Sequence, residues 1–161
     1  ILYNTKFMKL KLNKKVPNFK LPSTSGQVFE INKIRKNIIL YIYPKDDTPG
    51  CTLESRDFSK INKFIEKNKT IVVGISKDSI KSHLKFKKKY KLKFDLLSDE
   101  KCNVIKKYGA WGQKKFLGKK YMGIIRSTFL INSKGKLLKI WSNVRVKDHA
   151  QEVLGELKKL V

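Results

Sequence analysis

The chain has 161 residues with 38 Lys plus Arg against 13 Asp plus Glu, a formal charge of +25 and a pI near 10.1. At 40% hydrophobic and 11% aromatic content it can close one core and bury roughly 70% of its unfolded surface, which excludes an intrinsically disordered chain despite the charge. The longest apolar run, Ile38 to Tyr43, is strand-sized and far short of the ~18 residues of a membrane span, so no spanning segment and no membrane partner are expected.

Arg occurs only at Arg35, Arg56, Arg126 and Arg145, and the lysines are spread over the whole length rather than gathered into a fork-bearing patch. That pattern is a compositional bias of the chain and implies no specific nucleic-acid partner. Cys51 and Cys102 are too few for a disulfide scaffold and read as reduced thiols of a cytoplasmic protein. The opening Ile1 to Phe7 lacks the order of a secretory signal. Met8, directly before the strand-like Lys9 to Leu12, is a candidate native start.

Residues 1–15 are expected to form an N-terminal arm and residues 16–161 a single domain, with no repeat or linker between them. Val16 to Pro22 is extended, because each proline disfavours helix in the residue before it, and Ser23 to Gln27 is a turn; together they predict a short N-terminal β-hairpin. Ile38 to Tyr43 predicts a strand covered on both faces and ended by Pro44. After the Pro49-Gly50 turn, Thr52 to Lys67 predicts a helix with Leu53, Phe58, Ile61, Phe64 and Ile65 on the inward stripe. Thr70 to Ser76 is a second buried strand. Asp78 to Tyr90 predicts a basic helix that turns Ile80, Leu84 and Phe86 inward. Phe94 to Leu97 is a short strand, and Asp99 to Tyr108 a helix stopped by Gly109. Ser127 to Ile131 and Lys136 to Trp141 flank a Gly-bearing turn and predict an antiparallel hairpin. Asp148 to Leu160 closes the chain as a helix with Val153, Leu154, Leu157 and Leu160 inward. Strands alternating with helices and ending in a hairpin predict an α/β domain of thioredoxin-like arrangement, a central mixed sheet with helices on both faces.

The chemistry concentrates between Tyr43 and Thr52. Cys51 stands at the mouth of a helix, just beyond a buried strand, where unpaired backbone N–H groups and the helix dipole favour an anion and hence the nucleophilic thiolate. Thr48 can turn a hydroxyl toward the sulfur, and Pro44 can shield the pocket from water. A small buried apolar residue is the other reading of Cys51. A thiol-disulfide oxidoreductase on the same fold would need a Cys-x-x-Cys pair at this helix mouth, and Thr52-Leu53-Glu54 supplies none. A lysine-driven polyanion-binding or holdase protein is the non-enzymatic alternative.

The pattern Pro44-x-x-x-Thr48-x-x-Cys51 resembles the peroxiredoxin active-site motif, and Tyr43-Pro44-Lys45 with Thr48-Pro49-Gly50-Cys51-Thr52 resembles its bacterioferritin-comigratory, or peroxiredoxin Q, branch. The similarity runs from about residue 16 to 160, through Gly74-Ile75-Ser76, Leu97-Ser98-Asp99, Tyr108 to Gly112, and Gly123 to Ile131. It implies thiol-dependent reduction of hydrogen peroxide and alkyl hydroperoxides without metal or organic cofactor. In this resemblance Cys51 is the peroxidatic cysteine, Thr48 a donor to the peroxide, Pro44 the pocket shield and Arg126 the nearby cation. The partners it implies are a peroxide and a thioredoxin or small-thiol reductant, acting on a monomer or weak dimer.

Five residues beyond Cys51, where this branch often carries its resolving cysteine, stands Arg56. Cys102 is the other thiol and the candidate for a resolving role, but a one-cysteine mechanism recycled by an external thiol is favoured. His83 and His149 have no cysteine or carboxylate at ligand spacing and are expected on the surface of their helices, with no metal site. Asp46 and Asp47 are expected to serve the turn. Tyr108 and Trp111 are expected beneath the pocket, with the Gly109 to Gly123 loop beside its entrance.

Overall fold

A computed structural model describes residues 10–161 of the protein; the candidate start at Met8 and the first part of the arm lie outside these residues. Two short strands come first, β1 (Lys20–Pro22) and β2 (Val28–Glu30), paired antiparallel as an N-terminal hairpin. The central sheet holds β3 (Asn37–Ile42), β4 (Thr70–Ser76), β5 (Asp95–Ser98), β8 (Ser127–Ile131) and β9 (Leu137–Ser142) in the order β5-β4-β3-β8-β9. β3, β4 and β5 run parallel, and β8 and β9 join antiparallel. Between them come α1 (Pro49–Lys67), α2 (Ile80–Tyr90) and α3 (Asn103–Lys107), then a separate ribbon of β6 (Trp111–Phe116) and β7 (Lys119–Ile124), and α4 (His149–Leu160) at the end.

The alternation of β3 divides the interior. Ile38, Leu40 and Ile42 point into one apolar cluster with Val104, Ile105, Tyr108 and the N-terminal Phe19 and Leu21. Ile39, Tyr41 and Tyr43 point into the other, with Cys51, Phe58, Ile61 and Ile65 of α1, Phe86 of α2 and Val153, Leu154 and Leu157 of α4. A strand buried on both faces has no polar side to alternate with, and every residue of β3 is buried. Gly74 lies where a Cβ would come within 2.8 Å of the Tyr41 ring, so β4 passes the aromatic stack only with a glycine there. The second half of the expected arm lies on the β8–β9 hairpin: Asn13 and Lys14 exchange backbone hydrogen bonds with Leu137, and Val16 N–H donates to Gly135.

Several expected faces are corrected. On α1, Leu53 and Phe64 are 48% and 47% exposed, while Glu54, Ser55 and Asn62 are buried. The reason is polar pairing with residues distant in sequence, since Ser55 Oγ meets the Tyr41 hydroxyl at 2.8 Å and Glu54 meets Arg126. On α2, Leu84 faces out and His83 is fully buried in its stead. Leu160 is half-exposed in the last turn of α4. The helix expected from Asp99 is confined to Asn103–Lys107, because Cys102 before it takes a left-handed conformation at φ 58°.

Candidate active site

The strand β3 ends at Ile42, and the chain turns through Pro44 to Thr48 before α1 begins at Pro49. Proline fits a helix start because its missing N–H would be unpaired there anyway. Thr48 is the capping residue, its backbone oxygen accepting from Thr52 N–H at 2.8 Å. Cys51 is therefore in the first turn, at the positive end of a long helix, and it is 1% exposed.

Arg126, in the two-residue step between β7 and β8, reaches this turn from the other side of the site. Its Nη2 donates to Cys51 Sγ at 3.3 Å, and its Nη1 donates to Glu54 Oε1 at 2.7 Å. Cys51 and Glu54 are three residues apart on α1 and so share a helix face, and the planar guanidinium spans both. Glu54 is 1% exposed and its Oε2 has no hydrogen-bond partner. Burial pushes the Glu54 carboxyl up to about 7, against the pull of Arg126. Gly50 gives the guanidinium room, since a Cβ there would lie 3.2 Å from Nη2. Lys114 of β6 adds a second nearby cation: burial pushes its ammonium down, Arg126 adds to that shift and Cys51 opposes it.

Of the four residues predicted for the site, Cys51 and Arg126 are in contact. Thr48 and Pro44 lie in the preceding turn, both part-exposed. The Thr48 hydroxyl donates to Lys45 O at 3.0 Å rather than to sulfur, so its oxygen remains open as an acceptor and its hydrogen must rotate to meet a ligand. Cys102 is elsewhere. It is 7% exposed in the cluster on the opposite face of the central sheet from Cys51, and burial, then the Asp99 charge, raises its thiol.

The histidines and Asp46 are corrected. His83 is fully buried, its Nε2 at 2.9 Å from Leu97 O and its Nδ1 at 2.7 Å from Asp46 Oδ2. A carbonyl only accepts, so Nε2 carries hydrogen. Asp46 also accepts from the Tyr43 hydroxyl at 2.6 Å and from Ser82 Oγ at 2.8 Å, which ties the turn before Cys51 to α2 and β5. Asp78, whose carboxylate accepts from Asp46 N–H and Ser76 Oγ, completes a cluster with oxygen and nitrogen ligand atoms within 4.8 Å of one another. The expectation that His83 has no carboxylate at ligand spacing is thus overturned, although Asp46, Asp78 and His83 are hydrogen-bonded to one another and to Tyr43, Ser76, Ser82 and Leu97 O. Asp47 is an exposed turn acid that accepts from Lys89 and Tyr90.

His149 is 3% exposed rather than on the surface. Its Nε2 meets Thr128 Oγ1 at 2.8 Å, with Phe58 and Trp141 edge-on to the ring. Tyr108 and Trp111 pack with the cluster on the face away from Cys51, Tyr108 donating to Pro17 O at 2.6 Å, so they do not underlie the sulfur. Residues that sequence reasoning missed are Glu54 and Gly50. The first had a signal, one helical turn after Cys51; the second had none.

The chain matches the AhpC/TSA family over residues 12–140. It is 41% identical to the peroxiredoxin Bcp of Bacillus subtilis over 94% of this chain and 97% of that one. It superposes on peroxiredoxin Q of Xanthomonas campestris with a TM-score of 0.87 at 33% identity, covering 96% of this chain and 99% of that one. A bacterioferritin comigratory protein of Xanthomonas campestris, investigated for its alkyl peroxide reduction activity, superposes with a TM-score of 0.83 at 34% identity over 88% and 90% of the two chains. Fold, sequence and the thiol at the helix mouth converge: the chain belongs to the AhpC/TSA family of thiol-dependent peroxidases, in its Bcp, or peroxiredoxin Q, branch.

Proposed function

We propose that Cys51 is the peroxidatic thiolate, that it reduces hydrogen peroxide and alkyl hydroperoxides, and that an external thiol recycles it. The observation that carries this reading is the Arg126 Nη2 donor 3.3 Å from a sulfur that is almost wholly buried at a helix N-terminus. A permanent cation and a helix dipole aimed at one sulfur stabilise its anion in the absence of bulk water.

The thiolate attacks one oxygen of R–O–O–H, forming the S–O bond as the O–O bond breaks. The departing alkoxide takes a proton and leaves as alcohol, or as water from hydrogen peroxide, and Cys51 becomes a sulfenic acid. Charge moves from sulfur to the departing oxygen, and Arg126 is placed to follow it. Thr48, by rotating its hydroxyl away from Lys45 O, would donate to the bound peroxide, while Pro44 limits access from solvent. A thiol then condenses with the sulfenic acid, releasing water and leaving a mixed disulfide, and a second thiol restores Cys51 and departs as disulfide. Thioredoxin or a small thiol fills this part. The alkyl peroxide activity of the Xanthomonas relative supports the substrate class.

The test is peroxide consumption with dithiothreitol as reductant. Wild type is expected to turn over and Cys51→Ser to fall to the uncatalysed rate with an unchanged circular dichroism spectrum, because no second nucleophile replaces that thiolate. Retained turnover in the variant would remove the assignment.

A further inference from the structure

The β6–β7 ribbon stands apart from the central sheet and, Lys114 aside, carries features that the peroxidase chemistry does not use. From Trp111 to Ile124 the sequence holds Lys114, Lys115, Lys119 and Lys120 and no acidic residue. Its tip is apolar and open, with Phe116 66% and Leu117 87% exposed. Phe116 pairs with Lys119, so Leu117 and Gly118 form a two-residue turn, with φ of 49° and 78°. Positive φ at both positions suits an Asn-Gly turn and disfavours a bulky residue at the first. Leu117 is thus unfavourable in its backbone and unfavourable in its exposure, at the one point of the ribbon that projects furthest along the chain from its base.

We propose that this tip is a peripheral docking surface for an anionic phospholipid bilayer. Phe116 and Leu117 enter the interface, and Lys115, Lys119 and Lys120 meet the headgroup phosphates around them. A projecting apolar apex encircled by cations complements a fluid anionic surface, which yields to a convex shape; the burial and the charge attraction act together at such an interface. No helix among the described residues is long and apolar enough to cross a membrane, and a contact of this kind requires none. It is independent of the role given to Cys51. β7 leads from the tip through Ile124 and Ile125 to Arg126, so a molecule docked by its tip would hold the Arg126 side of the site one ribbon length, ~20 Å, from the lipid surface.

The experiment is co-sedimentation with phosphatidylcholine vesicles with and without phosphatidylglycerol, at rising salt, for wild type and for a Phe116→Ser, Leu117→Asn double variant. The double variant keeps every charge, and Asn before Gly118 suits the turn, so the ribbon is expected to remain folded. Wild type should bind only the anionic vesicles, and the double variant should bind about tenfold or more weakly. Lys85→Gln with Lys88→Gln on α2, which removes two positive charges outside the ribbon, should weaken binding by less than the tip variant does. A Leu117→Trp reporter should shift its emission to the blue on anionic vesicles and be quenched by brominated acyl chains. Turnover of hydrogen peroxide with dithiothreitol should be the same in all variants. Equal vesicle binding by wild type and the double variant, or none by wild type, overturns the proposal. So does a tip variant that loses affinity for a protein thiol reductant while binding vesicles normally.

Discussion

Gly50 and Arg126 approach so closely that a methyl group on the glycine would stand 3.2 Å from the guanidinium Nη2. The arginine cannot yield freely, because its two terminal nitrogens are engaged by Cys51 and Glu54. Gly50→Ala is therefore expected to displace the donor from the sulfur by a few tenths of an ångström. Alanine also favours the helix by up to about 1 kcal/mol, so stability should change little while the peroxide step slows by about tenfold, in keeping with the sensitivity of catalysis to small misplacements. Stopped-flow peroxide reaction alongside thermal unfolding checks this; an unchanged rate would show the guanidinium position to be unimportant.

The Arg126–Glu54 pair carries a second prediction. Arg126→Ala removes the cation from the sulfur and leaves Glu54 buried without its partner, and is expected to slow the peroxide step by roughly a hundredfold or more and to lower stability by about 3 kcal/mol. Arg126→Lys keeps charge and loses the fork that spans two residues, so its rate should fall between the two. Glu54→Gln preserves the size of the buried group but not its charge. The Glu54 carboxyl is raised to about 7 by burial, so its ionisation disfavours the folded state increasingly as pH rises from about 4.5 through 7. The Gln variant should gain stability relative to wild type across that interval. Denaturant midpoints of both proteins at pH 5 and pH 8 measure it, and parallel midpoints would contradict it.

His149 gives stability the opposite slope. Burial lowers its imidazolium to about 4 from the ordinary 6.5, so the folded state binds fewer protons than the unfolded state between those values. The stabilising contribution is whole above pH 6.5 and declines as pH falls toward 4, amounting to about 3 kcal/mol at most. His149→Gln is expected to have a shallower loss of melting temperature between pH 6.5 and 4 than wild type. An identical acid profile would mean that another group governs this loss.

The long apolar strands β3, β4 and β8 were legible because a strand buried on both faces is a continuous β-branched and aromatic run, and the reading of the Cys51 turn followed from the helix start after Pro49. What escaped the sequence was polar and non-local. Asp46 and His83 are 37 residues apart, and a lone polar residue on a helix looks like its solvent side until the partner is in place. Thus α1 buries Glu54 and Ser55 and exposes Leu53 and Phe64, against the hydrophobic stripe, because specific hydrogen bonds compensate the burial. The β6–β7 ribbon was read as a loop. Its lysines and glycines are weak strand formers with no apolar alternation, and Leu117-Gly118 lacks the Asn or Asp by which such turns are recognised.

The recycling step gives the last prediction, and it rests on the two thiols facing away from each other. Cys51 packs with Tyr41, Tyr43 and Phe58 on one side of the sheet, and Cys102 with Val104 and Ile105 on the other. A disulfide needs Cα atoms within about 7 Å, so joining them requires the chain to open around β3 or β5 and not merely the first turn of α1 to fray. Burial also raises the Cys102 thiol, with the Asp99 charge adding to it, which leaves less of the thiolate that would attack a sulfenic acid. Cys102→Ser is accordingly expected to keep both the first burst of peroxide reduction and steady turnover with a supplied thiol, within about twofold of wild type. After one equivalent of peroxide and no reductant, the wild-type mass should rise by one oxygen, with the modification on Cys51, and further peroxide should carry it to sulfinic acid. A mass lower by two hydrogens, with Cys51 and Cys102 in one cross-linked peptide, would establish the two-cysteine mechanism instead, and the same variant would then stall after its burst.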